Sequence, residues 1–156
     1  MREFHGTAST HVRASAHDAF DLVTDLDRLP EWNRAIKGIV ERPAALTPGA
    51  EWVLVMHPPG MPSWKSRSQV EEIEADARFT YRSHSDDRNP SYAQWRWDIT
   101  PTNEGAQVTV SWHGYPKTFF RKLLAAPLRR RMLEREVSAS LETMRGILEH
   151  TSAESP

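Results

Sequence analysis

Any chemistry done by this chain must come from hydroxyls, carboxylates, histidines and basic side chains, because the sequence has no cysteine. That removes disulfides, thiolate metal sites and thiol nucleophiles. The seven histidines are dispersed (His5, His11, His17, His57, His84, His113 and His150), and none stands in an H-E-x-x-H or other metal-ligand spacing. No metal and no cofactor is expected. "SHSDD" sets His84 beside Asp86 and Asp87, a base with groups that could orient it. The cluster lies where a strand enters a loop, so its first reading is a solvated turn. By alternation His113 points away from the Trp112 face, and His57 opens the loop "HPPGMP". No serine sits in G-x-S-x-G, and there is no glycine-rich phosphate loop. The residues alone name no catalytic group.

The stronger signal is aromatic. In "SYAQWRWDIT", Trp95 and Trp97 are two apart and share one face of a strand, while Gln94, Arg96 and Asp98 take the other. Six tryptophans in 156 residues need a large core, an interface or a ligand site to receive them. "WKSRSQVEEI" puts Trp64, Ser66, Ser68 and Val70 on one face, and "RFTYRSHS" groups Phe79, Tyr81 and Ser83. "AQVTVSWHGY" aligns Val108, Val110 and Trp112. A closed core favours Leu, Ile and Val without hydroxyls. Large aromatics beside scattered hydroxyls fit a mostly apolar pocket with a few orienting polar groups.

The elements that must hold these residues follow from periodicity. "EFHGTASTHV" alternates Phe4, Gly6, Ala8, Thr10 and Val12 as a first strand. Ser15 caps "AHDAFDLVTDL", with Asp18 at the capping-box position and Ala16, Ala19, Phe20 and Val23 at helical spacing. "DRLPEWNRAI", with Asp27 as its cap and Pro30 limiting its length, predicts a second short helix or turn. About six antiparallel strands come next, starting from the weak "IKGIVERP" and then "LTPGAEWVLVMH". Leu133, Val137, Leu141, Met144 and Leu148 then form a stripe along one long helix. Phe119, Phe120, Leu123 and Leu124 give an earlier helical signal, which Pro127 should break or kink from the later one. A single long helix must bury its stripe, and the sheet is the one large partner available. The expected fold class is α+β, a curved antiparallel sheet wrapped around the C-terminal helix, in one domain over 1–150 with a frayed tail at 151–156.

Charge is uneven although the net value is −1. From Lys117 to His150 there are eight basic and four acidic residues; residues 1–116 hold twelve basic and sixteen acidic ones. The basic helix reads first as a solvated face. Through Arg129, Arg130 and Arg131 it also offers transient contact with an anionic membrane or an acidic partner. Nucleic acid is not expected as a partner, since the chain is not basic and carries no nucleic-acid motif. No apolar run near the start suits a signal peptide, and no stretch approaches the 18 apolar residues of a membrane span. A cytoplasmic location is the default expectation.

The stretch "HVRASAHDAFDLVTDLDRLPEWNRAI" resembles the opening of the START-like, or SRPBCC, superfamily, and most of all its polyketide cyclase/dehydrase and lipid-transport branch. The resemblance rests on a strand running into a helix, then Asp25 or Asp27, Leu29-Pro30 and Trp32-Asn33. "TPGAEWVL" with Gly49, and "VEEIEADARFTYR" with Val70, Ile73 and Phe79, are similar to the strands that follow. It implies the helix-grip fold, with a deep pocket between the concave sheet and the long helix. A fold of this kind says little about reaction. The expected wall of that pocket is Trp32, Trp64, Ser66, Ser68, Tyr81, Ser83, Tyr92, Trp95, Trp97, Trp112 and Leu141. The leading expectation is a binder or carrier of a hydrophobic small molecule, lipid or polyketide-like. The alternative is a polyketide aromatase/cyclase-type enzyme, in which Tyr81, Ser83 or Tyr92 would carry protons. A third is a regulatory or interaction protein acting through the basic helix.

Overall fold

The computed structural model describes residues 3–87, 91–115 and 126–154, with side chains in the last segment described from 131 to 151. The chain runs β1 (Phe4–Val12), α1 (Ala16–Thr24), a 3-10 turn (Leu26–Arg28), α2 (Leu29–Trp32), β2 (Ile36–Glu41), β3 (Glu51–Met56), β4 (Trp64–Glu74), β5 (Arg78–Ser85), β6 (Tyr92–Thr102), β7 (Gly105–Tyr115) and α3 (Ala126–Glu154). The seven strands form one sheet in the order β1-β7-β6-β5-β4-β3-β2, antiparallel throughout. Two short helical pieces follow the first strand and a long helix closes the chain. This is the α+β helix-grip arrangement expected from the sequence.

Local chemistry explains the joints. Ser15 accepts a hydrogen bond on Oγ from the Asp18 N–H at 3.0 Å, capping α1. Asp27 does not cap its turn; its carboxylate instead pairs with Arg42 at 2.6 Å. Pro30 sits in the first turn of α2, where its missing N–H costs nothing. Asn33 ends that helix: its N–H donates to the Leu29 carbonyl, and its Oδ1 accepts from the Ala35 N–H at 3.0 Å. The chain turns there into β2, leaving Trp32 behind on the inner side.

The expected helical stripe is buried in full: Leu133, Val137, Leu141, Met144 and Leu148 all join the core. They meet Val12, Val108, Val110, Ile99 and the α1 residues Ala19, Phe20, Leu22 and Val23. α3 lies along β1, and α1 packs against β6 and β7. The Arg13 backbone N–H donates to the Glu149 carboxylate at 3.0 Å, tying the far end of α3 to the end of β1. Pro127 stands in the first described turn of α3. The earlier apolar signal at Phe119, Phe120, Leu123 and Leu124 lies outside the described residues, as do the side chains of Arg129 and Arg130. Arg131 is exposed.

Candidate ligand-binding site

Strand register decides where the sheet and helix fail to meet. Ser68 pairs with Ser83, Ser83 with Ala93, and Ala93 with Gly114. Four small residues on four neighbouring strands therefore form one row across the inner face. The row is bounded by Trp52, opposite Ser68, and by Phe4, opposite Gly114. One step along the strands lies a row of larger residues: Val70 opposite Tyr81, Tyr81 opposite Trp95, and Trp95 opposite Trp112. Interiors otherwise close to crystal-like density. Here the small row cannot reach the helix, and a cavity of about 750 Å³ remains between the sheet, α2 and the first half of α3.

Aromatic rings make its inner end. Trp52 and Phe79 stack with centroids 5.9 Å apart, Tyr81 sits 5.1 Å from each of them, and Trp95 stacks on Tyr81 at 6.5 Å. Trp32 stands edge-on to Trp97 at 5.5 Å, a geometry that sets a ring's positive edge against a negative face. Its Nε1–H is enclosed with no acceptor among the described residues, so packing places this indole. The Trp97 Nε1–H donates to the Tyr81 hydroxyl at 3.5 Å. Burial, opposed in part by that hydrogen bond, pushes the Tyr81 phenol up to about 12, so it stays a neutral donor at physiological pH.

Hydroxyls make the outer half. Ser66 and Ser68 project inward from β4, Ser83 and Ser85 from β5, and Ser140 from α3. Ser68 and Ser83 share a hydrogen bond of 2.6 Å. The mouth is formed by Met61, Pro62, Ser63 and Trp64 after β3, by His84, Asp87 and Ser91 around the β5–β6 connection, and by Glu136 on α3. At the rim, where Tyr92 and Tyr115 border the cavity, strand ends are braced by a row of stacked rings. His113 lies on Tyr115 at 4.2 Å, Tyr115 on Tyr92 at 4.6 Å, and the Arg82 guanidinium 4.4 Å over Tyr92.

Of the residues singled out from sequence, Trp32, Trp64, Ser66, Ser68, Tyr81, Ser83, Tyr92, Trp95 and Trp97 surround this cavity. Trp112 and Leu141 do not. The Trp112 ring covers Gly6, and Leu141, 2% exposed, is sealed in the core. Sequence reasoning passed over Trp52 and Phe79 as wall residues. Trp52 lay in the unbroken apolar run "EWVLVM", which gives no face; Phe79 was grouped with Tyr81 and Ser83, and that grouping was the usable sign. Ser140 carried no signal beyond lying one place before Leu141. His84 and Asp87 stand at the mouth; the Asp86 carboxylate turns to Arg67 at 3.2 Å, and the His84 Nδ1 lies 3.0 Å from the Ser85 carbonyl. One further polar group lies on the surface: His17 sits between Asp21 at 3.2 Å and Asp76 at 3.0 Å, all three exposed.

A curved sheet gripping one helix over a lined hollow defines the class, a START-like helix-grip protein. The chain belongs to the polyketide cyclase/dehydrase and lipid transport family, whose model matches residues 3–149. Solved structures agree on the fold. The START superfamily protein of Mycobacterium smegmatis matches with a TM-score of 0.74 at 18% identity, over 94% of this chain and 98% of that one. Protein CV1439 of Chromobacterium violaceum matches at 0.76 and 15% identity, over 93% and 96%. The di-domain ARO/CYC StfQ from the steffimycin biosynthetic pathway matches at 0.78 and 16% identity, over 97% of this chain and 52% of that one. No curated protein matches the sequence. No helix among the described residues is long and apolar enough to cross a membrane.

Proposed function

We propose that this chain binds a hydrophobic small molecule, of lipid or polyketide-like kind, in the cavity between the sheet and α3. The observation that carries the reading is the row Ser68–Ser83–Ala93–Gly114, which holds about 750 Å³ open beside a cluster of aromatic rings. Binding pockets for small molecules run from roughly 300 to 1,000 Å³ and are mostly apolar with a few polar groups. Filling such a hollow with side chains would need only larger residues in that row, and the sequence places none there. Native mass spectrometry of the purified protein, followed by organic extraction, tests the reading. A bound apolar molecule is the expected result. A protein that arrives empty and takes up no apolar ligand would refute it.

A second reading is a cyclase-type enzyme, supported by the family and by the Tyr81 hydroxyl, a neutral proton donor held among rings at the inner end. A shaped cavity of this kind could fold a reactive poly-ketone and exclude water while a hydroxyl moves a proton. Turnover of a poly-β-ketone by wild type and not by Tyr81→Phe would favour the enzyme. Tight binding without conversion would favour the carrier.

A further inference from the structure

Away from the cavity, the geometry points to a binding site for a divalent first-row metal ion, of which zinc is the type, at His17, Asp21 and Asp76. His17 and Asp21 stand one turn apart on α1, and Asp76 lies in the turn between β4 and β5. Spacing along the chain holds no sign of the group, because the fold brings Asp76 to His17 from 59 positions away. The two ring nitrogens of His17 are used differently. Nδ1 lies 3.0 Å from Asp76 Oδ1, and an ionised carboxylate can only accept, so Nδ1 carries the proton. In the neutral imidazole the lone pair is then on Nε2, which lies 3.2 Å from Asp21 Oδ2. Two electron-rich atoms at that distance need a cation between them. A proton is one such cation and a metal ion is the other.

Zinc bonds to nitrogen and to carboxylate oxygen are about 2.0–2.2 Å long, so two of them at a tetrahedral angle hold their donor atoms roughly 3.3 Å apart. The 3.2 Å between His17 Nε2 and Asp21 Oδ2 is close to that spacing. Asp76 takes the part of the carboxylate that keeps a metal-bound histidine in one tautomer and one orientation. Two carboxylates alone would be an ordinary acidic surface; the imidazole fixed between them makes a ligand set. Nitrogen beside carboxylate oxygen suits zinc and its first-row neighbours, whereas calcium and magnesium favour oxygen alone. All three side chains are exposed, which leaves room for water to complete the coordination. The ion would clasp the start of α1 to the β4–β5 turn, at the opposite end of those strands from the cavity mouth.

Calorimetric titration with zinc chloride alone tests this. Wild type should take up zinc at this site, and its melting temperature should rise with zinc concentration by mass action. His17→Gln and Asp21→Asn should each weaken binding by roughly tenfold or more, and Asp76→Asn by about 10- to 100-fold, the usual effect of removing an orienting carboxylate. All three positions are exposed, so these substitutions test binding and not folding. His5 and His113 are a competing pair of imidazoles, opposite each other on β1 and β7 with ring centroids 5.9 Å apart. His113→Gln should leave the zinc affinity intact. Ring-nitrogen NMR of the zinc-loaded protein should place the metal on His17 Nε2 and the proton on Nδ1. Zinc on Nδ1 overturns the proposal, as does an Asp76→Asn variant that binds like wild type. So does uptake lost in His113→Gln but kept in His17→Gln, or no uptake at all.

Discussion

Gly6 lies directly beneath the indole of Trp112, its cross-strand partner, so closely that a Cβ on residue 6 would overlap the six-membered ring. Two residues away on the same strand pair the relation is reversed: Phe4 folds its ring over Gly114. β1 and β7 therefore exchange an aromatic ring for a glycine in each direction, which lets both rings lie flat against the sheet. The Phe4 ring closes one end of the cavity as a consequence.

Gly114→Ala should displace the Phe4 ring, since the new methyl would fall inside it. Overpacking of this kind costs about 1–3 kcal/mol. Urea denaturation checks the cost, and unchanged stability would show that the Phe4 ring moves aside freely.

Ala93→Leu should fill the middle of the small row without disturbing the register. Ligand binding should fall more than tenfold while the melting temperature stays level or rises, because the added methyls find empty space instead of packed neighbours. A variant that still binds would move the ligand away from the Ser68–Ser83–Ala93–Gly114 row.

Leu141→Ala removes a side chain that is 2% exposed, from the middle of the buried stripe of α3. The expected loss is about 2–5 kcal/mol. A melting curve like that of wild type would contradict the packing of α3 described above.

Tyr81 should titrate later than an ordinary phenol. Its ordinary value of 10 is raised to about 12 by burial, so the folded state keeps a proton that the unfolded chain releases. Stability contributed by the neutral phenol is thus intact below pH 10 and is lost between about 10 and 12. Absorbance titration of tyrosinate should show one late step that Tyr81→Phe abolishes.

His17 is held above its ordinary value of 6.5, first by its hydrogen bond to Asp76 and then by the charge of Asp21. A raised value means the folded state binds this proton more tightly than the unfolded one. The stabilisation is fully present below pH 6.5 and disappears as pH rises through the higher folded value. The difference in melting temperature between wild type and His17→Gln should therefore shrink from pH 6 to pH 8; a constant difference would remove the imidazolium from the account.

Much of the architecture was legible because its signals are local. The Ser15 cap, the inward face of Phe79, Tyr81 and Ser83, and the stripe from Leu133 to Leu148 each follow from spacing within one element. The site was legible only as a set of faces. Trp95 and Trp112 share the inner side of neighbouring strands, yet Trp95 borders the cavity and Trp112 lies on Gly6. Periodicity assigns a residue to a side of the sheet and is silent about what waits on that side.

By itself the sequence determined the order of elements, the buried face of each and the absence of any cysteine chemistry, since a two- or 3.6-residue repeat is written within a single segment. Only the tertiary structure decided that Ser68, Ser83, Ala93 and Gly114 fall in one row. Four strands far apart along the chain set that row by their hydrogen-bonded register. A hollow exists where small residues on all of them coincide opposite a helix that cannot follow the sheet inward.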